Sequence, residues 1–443
     1  MANHYLLENL YRLATEEAER VFGDECALNP PDPALRLASV KRVAIFAEAF
    51  LPKVDGVSKT AYITLRHLQQ TGREVLVFAP DIAPHAIGET RVIPLPSLGM
   101  PSAPETRLAL PHPMVAQTLA AFKPDLIHLF SPAVVSVSGM IVGRQLGVPV
   151  VANYQTDLPG YTEYYGYSLF RHVVRDWLRF IHNGCHLTLV PSNWTMRELR
   201  AAGYHRMRRW GRGVNRQRFN PGRRTDSMRT RLLGGRPANS LLCLYVGRLA
   251  HEKRVDLLLD VARLPGVALT IIGDGGQRPE LEALFAGTGT VFTGYMYGDA
   301  LAEAYASADA FFFPGDRETF GQVVQEALAS GLPAVIINQG GITDLVTSGV
   351  NGYVCPPDRQ AFAAVARRLR DDPALRQRMS AAAAQSPHLQ PWETLMAQLE
   401  TYYAEAAALN ARARRIYPHG PGLLSLIFNR GAAPIGTKYD RVS

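Results

Sequence analysis

The chain has 443 residues, of which 47% are hydrophobic and 19% are charged, and its net charge is +8. This balance is typical of a globular protein and excludes a disordered chain. At roughly 150 residues per domain, the length predicts two or three domains. The excess of positive charge favours phosphates, anionic lipid surfaces or nucleic acid as partners, without choosing among them.

The cysteines and the apolar runs restrict the class of protein further. The four cysteines lie far apart and form no Cys-X-X-Cys pair, so we expect buried free thiols and no zinc site or disulfide framework: Cys26, Cys185, Cys243 and Cys355. The acidic N-terminus is unlike a secretory signal, and no apolar run reaches the ~20 residues that span a bilayer. We therefore expect a cytoplasmic protein, free or peripheral at the inner membrane face.

The first half of the chain alternates short apolar runs with amphipathic stretches. Residues 1–40 are predicted to be an extension, with a helical pattern that ends at a run of prolines. The following residues, 41–210, are predicted to form one domain because strand–helix alternation is typical of a mostly parallel sheet covered by helices. The predicted strands are 42–47, 74–79, 125–130, 149–153 and 187–191, and the predicted helices are 56–70, 134–146, 169–182 and 193–202.

The alternation repeats after a basic segment, His205 to Arg236, that holds eleven arginines and one acidic residue. Residues 211–390 are predicted to form a second domain of the same kind, 391–415 a helix that packs back across both domains, and 416–443 a tail. Two doubly wound, Rossmann-like α/β domains place a cleft between the carboxyl ends of their sheets, where ligands bind. The predicted strands are 241–246, 268–272, 290–293, 310–314 and 333–337, and the predicted helices are 255–263, 280–286, 301–307, 323–330 and 361–384.

Two stretches carry the signals of a phosphate site. Asp55-Gly56-Val57-Ser58 follows the first strand and opens the first helix, where glycine and backbone N–H groups favour anions. The stretch fits neither the dinucleotide-binding nor the Walker pattern, and by itself it equally fits a plain turn. In the second domain, Arg248 ends the first strand and Lys253 follows five residues later. Two cations at this edge suit a diphosphate, although they could also be solvated loop charges.

Two further stretches carry polar groups that suit a sugar. The segment from Gly315 to Glu326 places Glu318 in a strand–helix loop and Glu326 on an otherwise apolar helix, where a carboxylate is costly without hydrogen-bond donors. Sugar hydroxyls would supply those donors, whereas one capping and one exposed glutamate is the alternative. Gln155 and Asp157 directly follow a predicted strand, before a segment with four tyrosines, Tyr161 to Tyr167, that suits a sugar or acyl surface.

These stretches together, from about Arg42 to Ala384, resemble the family 4 glycosyltransferases of the GT-B fold. Glu318 and Glu326, with seven residues between them and Ala327-Leu328-Ala329-Ser330-Gly331 after them, are characteristic of such enzymes, as is Gly247-Arg248 with Lys253. The 154–157 segment, the 210–214 segment and 318–326 resemble in particular the bacterial GDP-mannose-dependent α-mannosyltransferases that act on glycolipids. Gln155 stands where many members have His, and Asn215 where they have Asp.

The resemblance implies a role for each matching residue. Arg248 and Lys253 neutralise the diphosphate of a nucleotide-sugar donor, Glu318 binds sugar hydroxyls, and Glu326 holds the ribose. Gln155 and Asp157 face the reacting centre. The other residues implied at the donor contribute backbone groups or lie near the sugar, phosphate and base: Gly56, Val57, Tyr295, Thr319, Phe320, Gly321 and Val323.

The implied reaction is the retaining transfer of a hexose, with mannose from GDP-mannose as the leading donor, to a hydroxyl of a lipid or glycolipid. No Asp-X-Asp triplet occurs, so we expect neither a metal nor a cofactor. A UDP-dependent glucosyl- or sulfoquinovosyltransferase is the alternative, and a nucleotide-sugar epimerase is a more distant one. We expect no nucleic-acid partner, and we expect either the basic segment or the arginines from Arg171 to Arg179 to attract an anionic membrane.

Overall fold

The computed structural model describes residues 39–51, 55–100, 103–158, 160 and 171–416. The predicted N-terminal helix, the tyrosine-rich segment 161–167, Cys26 and the tail lie outside these residues. Each predicted domain contains one large, mostly parallel sheet with helices against it, which confirms the α/β class. In the described part of the chain, no helix combines the length and the hydropathy needed to cross a membrane.

The N-terminal sheet has eight strands: β1 (Arg42–Ala47), β2 (Glu74–Pro80), β3 (Ala86–Ile87), β4 (Thr90–Leu95), β7 (Leu126–Phe130), β8 (Val150–Asn153), β9 (Leu187–Val190) and β10 (Met207–Arg209). Their order is β10-β9-β8-β7-β1-β2-β4-β3, and only the short β3 runs antiparallel to its neighbour. The core strands of this sheet form because their residues are apolar and buried on both faces. A separate antiparallel pair consists of β5 (Ser97–Met100) and β6 (Ala103–Ala109). The helices are α1 (Gly56–Gln70), α2 (Met114–Phe122), α3 (Val135–Leu146), α4 (Arg171–Gly184) and α5 (Asn193–Ala201).

The C-terminal sheet has six parallel strands in the order β13-β12-β11-β14-β15-β16. Its strands are β11 (Leu241–Val246), β12 (Val267–Ile272), β13 (Val291–Gly294), β14 (Ala310–Phe313), β15 (Ala334–Ile337) and β16 (Gly352–Cys355). The helices of this half are α6 (Asp226–Leu233), α7 (Leu259–Ala262), α8 (Arg278–Leu284), α9 (Gly298–Ser307), α10 (Gln322–Ala329), α11 (Arg359–Asp371), α12 (Pro373–Ala384) and α13 (Trp392–Ile416).

The strand order fixes where each sheet can bind a ligand. In the first sheet β1 lies between β7 and β2, and in the second β11 lies between β14 and β12. The connections leave these central strands in opposite directions, which opens a crevice at their carboxyl ends. The loops after β1, β7, β11 and β14 are therefore the loops expected to line a ligand site.

The last helix, α13, belongs to the N-terminal core. Trp392, Leu399 and Tyr403 are buried in the same cluster as the β1 and α1 side chains. Glu400 accepts hydrogen bonds from His67 at 2.8 Å and from both terminal nitrogens of Arg73, at 2.8 and 2.7 Å. Burial raises the pKa of the Glu400 carboxyl, but these donors outweigh that effect and the pKa is lowered. A buried, doubly paired carboxylate thus fastens α13 to the first domain.

Several elements differ from the expectation. The predicted helix over 255–263 is a 3₁₀ turn, Val255–Leu258, followed by the single helical turn α7. Asp256, Asp260 and Arg263 form a polar face at helical spacing, as predicted, but only the last turn of the segment is α-helical. The hairpin of β5 and β6 and the helix α2 were not predicted.

Candidate active site in the interdomain cleft

The two domains meet through the loops that follow β8 and β14. The Thr319 hydroxyl donates to the Gln155 carbonyl at 2.7 Å, and the Thr319 carbonyl accepts from the Thr195 hydroxyl at 3.2 Å. The backbone N–H of Asn193 also donates to Asp344 across the domains. Two stretches that were singled out in the sequence, around Gln155 and around Glu318, are thus adjacent in space.

Lys253 and Glu318 form an ion pair on the C-terminal side of the cleft. Lys253 ends a 3₁₀ turn, His251–Lys253, that follows β11, and its ammonium lies 5.8 Å from the centroid of the Phe313 ring. The two side chains are 14% and 20% exposed. The pair is shielded from bulk water, so its charges act over a lower effective dielectric than charges at the surface.

Arg248 follows the same strand and is held by a different carboxylate. Its Nη2 donates to Glu252 Oε1 at 2.5 Å; the Glu252 side chain is 1% exposed and the Arg248 side chain 40%. The Tyr245 hydroxyl donates to the Arg248 carbonyl at 3.1 Å, and burial raises the pKa of that phenol. The buried Glu252 was not singled out from the sequence, since a glutamate between a histidine and a lysine is typical of a solvated loop.

Glu326 is buried on α10 and lies between two donors. The Lys59 ammonium, from α1 of the other domain, is 3.4 Å from Oε1, and the Tyr305 hydroxyl is 3.4 Å from Oε2. Burial and then the charge of Glu326 raise the pKa of Tyr305. Protein groups therefore contact both oxygens of this carboxylate, for which the sequence had suggested sugar hydroxyls as donors.

The start of α1 differs from the expected anion site. The Asp55 side chain caps the helix and accepts from the Val57 and Ser58 N–H groups, both at 2.9 Å, in a capping box. These two donors are occupied by an internal carboxylate, which a phosphate would have to displace. Gly56 itself faces the other domain: a Cβ there would lie 3.9 Å from Gln322 Oε1. Gly56 and Val57 thus lie at the cleft, without the free helix start that was predicted.

The loop before α10 needs glycine. Gly321 caps the helix with φ of +85°, and a side chain there would meet Ile342. Gly341 lies against the Thr319 carbonyl, so close that a Cβ would be 1.9 Å from that oxygen. Phe320 and Val323 are half-buried and pack on the C-terminal core. The backbone around Thr319 and Phe320 is therefore fixed by close backbone packing.

Gln155 and Asp157 lie on the N-terminal side of the cleft. Gln155 is 7% exposed, and neither polar atom of its side chain has a hydrogen-bond partner among the described residues. An unpaired buried amide is costly in a folded protein, so a ligand or an ordered water is expected to complete its hydrogen bonds. Asp157 accepts from the Gly160 N–H at 3.1 Å and lies 3.7 Å from Arg317 of the other domain.

A buried carboxylate after β1 was missed in the sequence. Glu48 Oε1 accepts the N–H groups of Ala133, Val134 and Ser136, at 2.8–3.0 Å, at the start of α3. Burial raises the pKa of Glu48, and these hydrogen bonds oppose the rise. The residue lies at the crevice between β1 and β7. An acid that directly follows an apolar strand was the available signal.

Tyr295 follows β13 at the outer end of the C-terminal sheet. It is 51% exposed, its ring stacks on Tyr297 at a centroid distance of 5.9 Å, and its hydroxyl donates to the Asp274 carbonyl at 3.0 Å. The structure therefore places this predicted donor residue as an exposed aromatic platform beside the Gly273–Gly275 loop.

The basic segment combines internally paired arginines with exposed ones. Its arginines mostly bind carboxylates or carbonyl groups of the protein, and Arg212 and Arg218 are buried. Others, such as Arg209 and Arg216, are exposed, and the expectation that this segment attracts a membrane stays a prediction. The pairs include Arg208 with Glu405, Arg223 with Asp299, Arg229 with Asp309, and Arg206 with the Cys185 carbonyl.

The sequence predicted buried free thiols and no required metal. Cys185, Cys243 and Cys355 are buried free thiols. Within the described ranges, no cluster of three or more His, Cys, Asp or Glu side chains has the arrangement of a metal site.

Comparisons with known proteins identify the family. Residues 54–218 match the profile "Glycosyltransferase Family 4" and residues 234–386 match "Glycosyl transferases group 1". A GDP-mannose-dependent alpha-mannosyltransferase of Mycobacterium tuberculosis is 43% identical over 352 residues, which are 74% of this chain and 91% of that protein. The sulfoquinovosyl transferase SQD2 of Arabidopsis thaliana is 34% identical over 411 residues, 90% of this chain and 80% of that protein.

The fold comparison agrees. Sucrose-phosphate synthase from Thermosynechococcus elongatus superposes with a TM-score of 0.66 at 21% identity, over 83% of this chain and 99% of that one. At this identity the likeness shows the GT-B fold alone. Together with the family profiles and the relatives, it establishes that the chain is a hexosyltransferase of glycosyltransferase family 4.

Proposed function

We propose that the protein transfers mannose from GDP-mannose, with retention of the anomeric configuration and without a metal, to a hydroxyl of a lipid or glycolipid acceptor. The observation that supports this most is the pairing of Lys253 with Glu318 beside the interdomain contact of Thr319 with Gln155. Residues suited to a diphosphate, to a sugar and to a reacting centre thus lie at one cleft. The mannosyltransferase relative supports the donor.

The proposed chemistry is electrostatic. As the bond from the sugar to the diphosphate breaks, negative charge grows on the leaving phosphate, and Lys253 and Arg248 stabilise it. Fixed charges in a site that excludes water are the largest single contribution to many such barriers. Glu318 binds donor hydroxyls, and the acceptor hydroxyl attacks from the face that the diphosphate leaves, with the β-phosphate accepting its proton.

The donor is tested by a panel of radiolabelled nucleotide sugars. The purified enzyme is incubated with membrane lipids and with GDP-mannose, UDP-glucose or UDP-sulfoquinovose, in EDTA and in MnCl₂. We expect label from GDP-mannose in the lipid fraction, equal rates in both buffers, and an α-linked product by NMR. Incorporation of label only from a UDP-sugar would refute the GDP-mannose donor. A requirement for manganese would refute metal independence, and an inverted linkage would refute retention.

A UDP-sugar donor is the second candidate. It is favoured by the sulfoquinovosyl transferase, because the similarity to that relative covers 90% of this chain. The exposed aromatic pair Tyr295 and Tyr297 suits the base of either nucleotide, so the donor panel decides between the two candidates.

The lipid side of the proposal rests on α4. Val173 is 64% exposed and Trp177 41% exposed, next to the partly exposed Arg175 and Arg179, which both pair with Asp176. Apolar and aromatic side chains beside basic ones suit a position in the membrane interface.

We expect the protein to float with vesicles that contain phosphatidylglycerol, and we expect Val173→Asp to abolish this flotation. The control Leu98→Asp changes an equally exposed apolar residue, 61% exposed, on the β5–β6 hairpin and should float normally. Flotation indifferent to anionic lipid would count against the proposal.

A further inference from the structure

Lys59 reaches across the domain boundary into the other half of the cleft. It lies in the first turn of α1, just after Gly56, and only 7% of the residue is exposed. Its ammonium is 3.4 Å from Glu326 Oε1, and both side chains are 9% exposed. Lysine is rarely buried to this degree unless a carboxylate accompanies it. The contact is thus a shielded ion pair with one partner on each domain.

A buried ion pair of this kind contributes little net free energy to a contact between two domains. Removing both charges from water costs more than a long contact recovers, and an apolar pair of similar volume would join the surfaces at least as well. The distances to Glu326 from Lys59 and from the Tyr305 hydroxyl are both 3.4 Å, near the outer limit of a hydrogen bond. The two donors therefore hold the carboxylate in place without short, strong bonds to it.

We propose that Lys59 is a positioning residue for the donor nucleotide: it holds the Glu326 carboxylate in the orientation in which it accepts hydrogen bonds from the ribose hydroxyls. This inference rests on the proposed function, through the assignment of Glu326 to the ribose.

The proposal makes ribose recognition a shared property of both domains. Glu326 and Tyr305 come from the C-terminal domain, while Lys59 comes from the N-terminal domain. The carboxylate is fully prepared only when the two domains are in contact. If the ribose binds more tightly to the carboxylate that Lys59 holds in place, donor binding also favours the arrangement in which the two domains are in contact, because the two equilibria are coupled.

The test compares nucleotides that differ only in the ribose hydroxyls. Dissociation constants for GDP and 2′,3′-dideoxy-GDP are measured by calorimetry on the full chain, with UDP and its dideoxy form in parallel. Two hydrogen bonds to a carboxylate predict a wild-type preference for GDP of roughly 50-fold or more. We expect Lys59→Met to reduce this preference below ~5-fold, mainly by weakening GDP, and Lys59→Arg to retain most of it.

The control is Arg66→Met, which removes a cation from the same helix. Arg66 bonds to Gln69 within α1, so its loss should leave the preference unchanged. In turnover assays, Lys59→Met should raise the donor KM at least ~10-fold while kcat changes less than ~3-fold. A general loss of structure would weaken GDP and its dideoxy form equally, and the preference would then stay at its wild-type value.

The possible results distinguish a failure of the Lys59 proposal from a failure of the assignment of Glu326 to the ribose. An unchanged preference in Lys59→Met, with Glu326→Gln losing it, would overturn the role of Lys59 and leave the donor site standing. A wild-type enzyme that binds both forms of GDP and UDP equally would overturn the assignment of Glu326. Weakening of the dideoxy form as much as of GDP would also overturn the inference, since the effect would not involve the ribose hydroxyls.

Discussion

Lys253 and Glu318 follow different strands of the C-terminal sheet, 65 residues apart in the chain, and their side chains form an ion pair beside the interdomain contact. In the proposed reaction both must change partners, because Lys253 turns to the diphosphate and Glu318 to the sugar. Each therefore holds the other near its working position before the donor arrives. Preorganised charges of this kind need little reorientation during the reaction.

The first prediction concerns this pair. Lys253→Ala and Glu318→Ala should each lower turnover at least ~100-fold, by analogy with deletions of oxyanion-hole donors that cost on the order of 2.7–4 kcal/mol. Initial rates with saturating donor measure the effect. Arg263→Ala and Glu282→Ala remove exposed charges from the same domain and should be normal. Near-normal rates in both Lys253→Ala and Glu318→Ala would refute the assignment of these two residues to the active site.

The second prediction separates activity from stability at Gln155. The amide is buried without a partner in the described structure, so it costs free energy in the empty protein. Gln155→Leu should keep or raise the melting temperature while lowering kcat/KM at least ~10-fold. Calorimetry and donor-saturation kinetics on one preparation measure both. Loss of stability together with activity would show that the amide is a structural group and not a ligand contact.

The sequence was most informative where a pattern is local. The strand Leu241–Val246 was predicted with its observed bounds, because all six residues are apolar and buried. The family resemblance and the GT-B fold are confirmed. The antiparallel pair of β5 and β6 was missed because several of its residues, such as Gly99 and Ala103, have weak strand preference. Propensity is a weak guide where pairing decides the structure.

Contacts between distant residues explain most of what was missed at the site. Lys59 and Glu326 are 267 positions apart, and no local pattern indicates that they meet. The arginines of the basic segment were expected to face an anionic membrane, yet Arg229 lies 3.0 Å from Asp309. Charge counts alone cannot distinguish cations that face solvent from those that bind internal carboxylates. Residue types were therefore predictable, whereas their partners were not.

The third prediction tests the backbone that carries Thr319. A Cβ at Gly341 would lie 1.9 Å from the Thr319 carbonyl oxygen and 2.6 Å from Ser192 Oγ. Gly341→Ala must therefore shift the Thr319 segment, whose hydroxyl and carbonyl both bind the other domain. We expect kcat/KM to fall at least ~10-fold with the helix content by circular dichroism unchanged. Gly276→Ala, where a Cβ meets nothing within 4 Å, should have no effect; equal activity in both variants would contradict the argument.

The fourth prediction concerns acid stability of the N-terminal domain. Burial lowers the pKa of His128 to about 4 and those of His182 and His186 to about 3. In the unfolded chain these groups bind protons near pH 6.5, so their contribution is complete above that pH and is lost as the pH falls toward 3–4. Each histidine should therefore cost roughly 2 kcal/mol between pH 7 and pH 5.

Tryptophan fluorescence can follow this loss selectively. The four tryptophans, Trp177, Trp194, Trp210 and Trp392, lie in the N-terminal domain or in α13, which packs on it. We expect the fluorescence transition to move to lower temperature as the pH falls from 7 to 5. His182→Phe should make that shift smaller, because the ring packs between Tyr154 and Tyr204 and a phenyl ring cannot titrate. His205→Gln changes an exposed histidine and should retain the full shift; a shift of the same size in His182→Phe would contradict the assignment of acid sensitivity to this buried ring.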